Sequence, residues 1–243
     1  MAIKKIKVDN KEFSISYEIF NLDKRKNIIF LHGWGANKEI MKIFKDYFDD
    51  FRLVFIDMPG FGKSSNDYVL TTYDYKEIID EFLRVLDIKK DIIIGHSFGG
   101  KVATLLNPDT LVLLSSAGIL EKKPFLVKLK IKIFKILKTF GFAKFRKIFM
   151  SDDVKGMSEN MYETFKNVLN EDFSGHFRDF KGKAVVFGGE RDSAVSKESV
   201  KKQAQLLNVK PIILDGGHYF FFNDKDALKN REIIKENILK EIK

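Results

Sequence analysis

The chain has 243 residues, 44% of them hydrophobic and 32% charged, and it contains no cysteine. Such a length fits one large domain or a core with an insertion, and such a composition excludes general disorder. Without cysteine there is no disulfide framework, thiolate metal site or cysteine nucleophile, while a net charge of +9 raises nucleic acid, anionic lipid or an acidic protein as partner.

The first residues, MAIKKIKV, lack the apolar core and small-residue cleavage site of a secretory signal. The longest apolar run, residues 102–120, is interrupted by Asn107, Pro108 and Asp109 and does not reach the length of a membrane span. A cytoplasmic protein is the expectation, and the lack of cysteine fits a reducing compartment.

Residues 13–20 (FSISYEIF) alternate with period two, as a half-buried strand does. The runs at 27–32 (NIIFLH), 51–57 (FRLVFID), 91–96 (DIIIGH) and 110–115 (TLVLLS) are short and almost continuously apolar. That pattern suits strands buried on both faces of a parallel sheet. Residues 183–187 and 209–215 repeat it. Helical periodicity marks 37–48, 73–86, 196–207 and 224–242; in the second of these Ile78, Ile79, Phe82 and Leu86 share one face. Strands alternating with helices imply βαβ units and a parallel sheet covered on both sides. From about 120 to 180 the rhythm breaks into helix-like segments separated by Gly141, Gly156 and Gly175, an insertion between a sixth and a seventh strand.

Gly95-His96-Ser97-Phe98-Gly99 fits G-x-S-x-G between an apolar run and a short helical segment. A serine on such a turn is forced outward, and the crowded backbone requires small neighbours. A serine hydroxyl needs a base and a group to orient that base. Of the four histidines, His218 follows the last strand and is the choice for base. His32 and His96 end strands and suit structural or oxyanion-side roles, and His176 lies in the insertion as a surface or cap residue. The run Phe187-Gly188-Gly189-Glu190-Arg191-Asp192 offers two acids after a strand, Asp192 first and Glu190 as fallback. The order Ser97, Asp192, His218 is that of nucleophile-elbow enzymes. Oxyanion donors are expected from the N–H groups of Trp34 and Phe98, the former in the glycine-flanked His32-Gly33-Trp34-Gly35. No cofactor is called for, and no His/Asp/Glu spacing suggests a metal. A phosphate-cradling reading of Phe61-Gly62-Lys63-Ser64 fails because the required first glycine is Asp57.

With these motifs, the segment Asp57-Met58-Pro59-Gly60-Phe61-Gly62-Lys63-Ser64 and the pair Gly217-His218, the chain resembles the α/β-hydrolase superfamily over nearly its full length. The resemblance implies an eight-stranded, mostly parallel sheet with helices on both faces, a Ser-Asp-His triad and a helical cap after strand six. The core would comprise residues 1–118 and 181–243, and the cap 119–180. Small acyl esterases are the most similar, including the pimeloyl-carrier-protein methyl esterase group, and so are carbon–carbon bond hydrolases. A serine esterase is therefore the first expectation. The alternatives are a hydrolase of a vinylogous diketone (2-hydroxy-6-oxo-dienoate type) and a catalytically silent binding protein on the same fold. Carbon–carbon hydrolases commonly carry Asn before the nucleophile and Trp after the base, where this chain has His96 and Tyr219. The helix after Ser97 is also shorter than is usual in the family. Relatives that attack with aspartate are excluded by Ser97.

The charge is concentrated. Lys122, Lys123, Lys128, Lys130, Lys132, Lys135, Lys138, Lys144, Arg146 and Lys147 fall in residues 122–150 with no acid, leaving the other 214 residues at −1. Leu126, Leu129, Ile133, Ile136, Leu137 and Phe140 recur there at helical spacing, although 127–133 also alternates like a strand. A solvated cap helix and a docking face for an acidic partner are both open readings. The partner would be an acyl carrier protein, an anionic lipid surface or a carboxylate substrate. Nucleic acid has no recognisable module here.

Overall fold

A computed structural model describes residues 1–120 and 157–242. Two antiparallel strands, β1 (Ala2–Val8) and β2 (Lys11–Phe20), lead into β3 (Asn27–Leu31), β4 (Arg52–Ile56), β5 (Ile92–His96), β6 (Thr110–Leu114), β7 (Lys183–Gly189) and β8 (Pro211–Leu214). They form one eight-stranded sheet in the order β1-β2-β4-β3-β5-β6-β7-β8. Only the β1–β2 and β2–β4 pairs are antiparallel; all the others run parallel. The described helices are α1 (Thr72–Val85), α2 (Phe98–Leu106), α3 (Glu159–Leu169), α4 (Ser174–Asp179), α5 (Lys197–Leu206) and α6 (Ala227–Glu241).

Every residue of β3, β5 and β6 is buried, which explains their unbroken apolar runs. Alternate side chains feed two cores. Ile29, Leu31, Val54, Ile56 and Ile93 pack with Ile78 and Phe82 of α1, Val102 of α2 and Val200 of α5. Ile28, Phe30, Phe55, Ile94 and Phe187 pack on the other face with Phe44, Phe48, Phe221 and, from α6, Ile234 and Ile238. Phe30 and Phe55 stack with centroids 4.4 Å apart. Each such fully buried side chain contributes about 1.5–3 kcal/mol, so the central strands anchor whatever their ends carry. At the start of α1, Thr71 accepts the Asp74 N–H while the Asp74 carboxylate accepts the Thr71 N–H, closing a capping box.

Three expectations need correction. Residues 37–48 form no α-helix but two short 3-10 turns, Lys38–Ile40 and Lys42–Tyr47. The Lys38 N–H is donated to the Asp57 side chain, while Met41, Phe44 and Phe48 still turn inward. Strand β1 was not expected: Lys4, Lys5 and Lys7 mask its alternation, though lysines suit the edge position it occupies. Gly175 lies inside α4 instead of separating helices. The expected basic cap helix falls outside the described residues.

The parallel strands finish level with one another. Leu31 pairs with Gly95, His96 with Leu114, Leu114 with Phe187 and Gly189 with Leu214. The residues that follow β3, β5, β7 and β8 therefore gather at one edge, where open α/β sheets bind ligands.

Candidate active site

Ser97 sits between β5 and α2 with φ 50° and ψ −114°, a left-handed backbone that a serine adopts only under constraint. The turn is locked on both sides: the Ser97 N–H donates to Leu114 O at 3.1 Å, and Ser97 O accepts the N–H groups of Gly100 and Ala117, each at 3.1 Å. The motif glycines are demanded by contact. A Cβ on Gly95 would lie 2.5 Å from Gly99 O, and one on Gly99 would collide with the backbone carbonyls of Leu31 and His32. Among the described residues the Ser97 hydroxyl has no hydrogen-bond partner and is free to meet a substrate.

His218 lies in the loop after β8. Its Nδ1–H donates to Asp192 Oδ2 at 2.8 Å. The carboxylate is completely buried and the imidazole side chain 17% exposed. Asp192 Oδ1 accepts the Ala194 and Val195 N–H groups at 2.8 and 2.9 Å. Burial alone would raise the Asp192 carboxyl, but the bond and charge of His218 and the Val195 N–H outweigh it and hold the group below its ordinary value. Asp192 is therefore an ionised acceptor for the His218 Nδ1–H, and in the neutral ring the lone pair is on Nε2. Glu190, the fallback acid, pairs instead with Lys197 at 2.5 Å on the surface. His176 meets the Tyr73 hydroxyl at 2.9 Å, away from this group.

The loop after β3 faces the serine. His32 is buried between two backbone groups: Nε2 accepts the Met58 N–H at 3.0 Å, so the proton is on Nδ1 and donates to Gly33 O at 2.7 Å. Burial pulls its pKa down to about 4, which keeps the ring neutral. Among the described residues neither the Trp34 nor the Phe98 N–H has a protein acceptor, as oxyanion donors require; Phe98 is the first residue of α2, where N–H groups are unsatisfied by geometry. The Trp34 ring packs on Phe61, Phe98 and Phe165 at 4.9, 5.5 and 5.2 Å, so it also anchors the loop beneath α3.

Three buried charged groups, Asp57, Lys38 and Lys101, are not signalled as buried by the sequence. Asp57 is 1% exposed and Lys38 3%. The carboxylate accepts the Lys38 N–H at 2.8 Å, the Lys38 ammonium at 2.7 Å and the Lys63 N–H at 3.1 Å. Ser64 Oγ donates to Asp57 O at 2.6 Å and accepts the Ser16 N–H at 2.8 Å. The phosphate-like motif is thus a loop wound around a carboxylate; a side chain at Gly62 would collide with Asp57. Lys101, on α2, reaches Val168 O at the end of α3 and the Glu171 carboxylate, both at 2.5 Å, and burial lowers its pKa. Lys101 is the one cation in the otherwise uncharged stretch FGGKVATLL.

Helix α3 rests on the 60–70 loop. Thr164 Oγ1 accepts the Leu70 N–H at 2.9 Å, and Asn160 and Asn167 Nδ2 donate to Asn66 O and Leu70 O at 2.8 and 3.1 Å. Among the described residues no helix is long and apolar enough to cross a membrane.

The fold and the residues gathered at its edge define an α/β-hydrolase. The alpha/beta hydrolase family model matches residues 28–230, and the chain belongs to that family. It is 37% identical over 82 residues to the pimeloyl-[acyl-carrier protein] methyl ester esterase of Wigglesworthia glossinidia brevipalpis, covering 32% of this chain and 29% of that protein. It is 31% identical over 84 residues to the 2-succinyl-6-hydroxy-2,4-cyclohexadiene-1-carboxylate synthase of Citrobacter koseri, covering 35% and 33%. The first relatives are matched over less than half of their own length. A malate-bound thermophilic esterase from Thermogutta terrifontis shares the fold over the whole of both chains, with a TM-score of 0.74 at 15% identity. The enol-lactonase of Burkholderia xenovorans LB400 does so over 98% of this chain and 99% of its own, at 0.73 and 14%.

Proposed function

We propose that this protein is a serine hydrolase that cleaves a carboxylic ester or related acyl compound. The observation that carries the reading is the 2.8 Å bond between His218 and the buried Asp192, at the same sheet edge as a serine held in a left-handed turn. In this reading Ser97 Oγ attacks the carbonyl carbon while its proton passes to His218 Nε2. Asp192 orients the ring and stabilises the imidazolium that forms. The oxyanion is held by the N–H groups of Trp34 and Phe98, each donor being worth about 3–4 kcal/mol in such sites. Collapse breaks the ester bond, and the alcohol leaves with the proton from His218. Water, deprotonated by His218, then attacks the acyl-enzyme and releases the acid. Intact-protein mass spectrometry during turnover of p-nitrophenyl esters of increasing chain length should find one acyl group per chain, on Ser97; turnover with the acyl group absent from Ser97 would end the reading.

Residues 119–180 are proposed as the cap, on the strength of the contacts between α3 and the 60–70 loop. A substrate presented on an acidic acyl carrier protein is favoured by two observations: the +10 carried by residues 122–150, and the similarity to an esterase whose name specifies such a carrier. Carrier-linked esters should then turn over faster than free esters and lose that advantage as salt rises. Indifference to carrier and salt would overturn this part alone. The cytoplasm is the compartment we propose, in keeping with a chain free of cysteine.

A further inference from the structure

His96 precedes the serine and has no place in the steps above, yet it touches His218 and faces Gly33. It is fully buried at the end of β5. Its Nε2 lies 3.0 Å from the backbone oxygen of His218. A carbonyl can only accept, so Nε2 carries the proton and donates it, and Nδ1 is left with a lone pair. Nδ1 has no hydrogen-bond partner and faces Gly33: a Cβ there would stand 2.9 Å from His96 Nδ1 and 3.1 Å from Ser97 Cβ. The ring packs on His218, Tyr219 and Phe221 with centroids at 4.6, 4.9 and 5.0 Å.

We infer that His96 is a positioning residue for the base, its Nε2–H fixing the main chain of His218 so that the imidazole stands between Asp192 and Ser97. The inference rests on the hydrolase reading. Asp192 holds the His218 ring by its side chain. The rest of the loop is held by the Gly217 N–H on the Asp224 carboxylate at 2.7 Å and by Asn230 Nδ2 on Asp215 O and Phe220 O at 2.7 and 2.8 Å. Among the described residues the His218 carbonyl itself is held by His96 alone. Covalent continuity then does the coupling, because His96 and Ser97 are adjacent and a clamp on one sets the distance from the other to the base. The bare Gly33 gives the ring its room, and so ties the oxyanion loop to the same point. Burial keeps the ring neutral, with a pKa of about 3, so the donor persists through the working range of pH.

The test compares His96→Leu, which cannot donate, with His96→Gln, whose amide N–H can approach the Nε2 locus. In His96→Leu, kcat and the rate of fluorophosphonate labelling should both fall about 10–100-fold, as for a small misplacement of a reacting group, with KM within about twofold. The low-field NMR resonance of the His218 Nδ1 proton should broaden or move upfield, and His96→Gln should recover most of the rate and the resonance. His96→Leu with wild-type labelling and an unchanged resonance would overturn the inference. So would equal losses in both variants together with a lowered Tm, which would make the histidine a packing residue only. The resonance is readable without turnover: failure of the wild type to label would strike the hydrolase reading, while the resonance would still decide whether His96 positions the base.

Discussion

Asp57 and Asp192 are two solutions to one electrostatic problem. Each follows a strand of the sheet, β4 and β7, each carboxylate is buried, each accepts at least three hydrogen bonds, and each is held below its ordinary carboxyl pKa. They differ in the charged partner. Asp57 faces Lys38, a buried cation with a second bond from its ammonium to Ser16 Oγ at 3.1 Å, and the pair closes a loop. Asp192 faces the His218 imidazole at 2.8 Å, which in the proposed mechanism it aims as a base. Burial and a depressed carboxyl pKa do not by themselves mark chemistry, because both carboxylates have them; the proposed catalytic role of Asp192 turns on its imidazole partner.

Four experiments can break or sharpen that contrast. The largest effect is expected from Asp192→Asn, which keeps the shape of the side chain but loses its charge and its hold on the His218 tautomer. Turnover of a p-nitrophenyl ester should fall by about 10⁴-fold, with little change in Tm. A drop of less than tenfold would move Asp192 to the structural class.

Asp57→Asn should do the reverse. Leaving Lys38 buried without its counter-charge should cost about 3–5 kcal/mol in urea unfolding, with turnover retained within about tenfold. Because the Asp57 carboxyl is held low when folded, its stabilisation is complete above its unfolded value of about 3.9. It is lost as pH falls through the lower folded value. The gap between wild type and variant should therefore be constant from pH 7 to about 5 and narrow only below about 4. A gap that closes near neutrality would contradict the ion pair.

Much of this architecture was legible beforehand, and for physical reasons. Strands buried on both faces must be continuously apolar, so β3, β5 and β6 announced themselves. The strand-to-helix turn needs glycine at positions where any Cβ meets backbone, so the turn that carries Ser97 was visible too. Asp192 and His218 could be placed at strand ends by order, and the structure puts them 2.8 Å apart. What stayed hidden depends on tertiary partners. The Lys38–Asp57 pair links residues 19 apart, and neither residue type at its position signals the other. Edge strand β1 was hidden because its lysines answer to solvent and not to a core.

A third effect comes from the two buried histidines. His32 and His96 have native pKa values near 4 and 3 but titrate near 6.5 when unfolded. Between about pH 6.5 and 4 the unfolded chain binds two protons that the native state refuses. Stability should therefore fall as pH drops, by about 1.4 kcal/mol per pH unit for each histidine. Urea midpoints that stay flat from pH 7 to 5 would contradict their burial as neutral rings. The smallest effect belongs to Glu190→Gln: its pair with Lys197 is exposed on both sides, so neither turnover nor Tm should change measurably. A large loss of turnover would transfer the orienting role from Asp192 to Glu190.

The most direct test of the hydrolase reading is fluorophosphonate labelling of the wild type beside Ser97→Ala, read by intact mass and peptide mapping. One adduct per wild-type chain, located on Ser97 and absent from the variant, is the expected result. A wild-type chain that does not label, or a variant that labels equally, would contradict it.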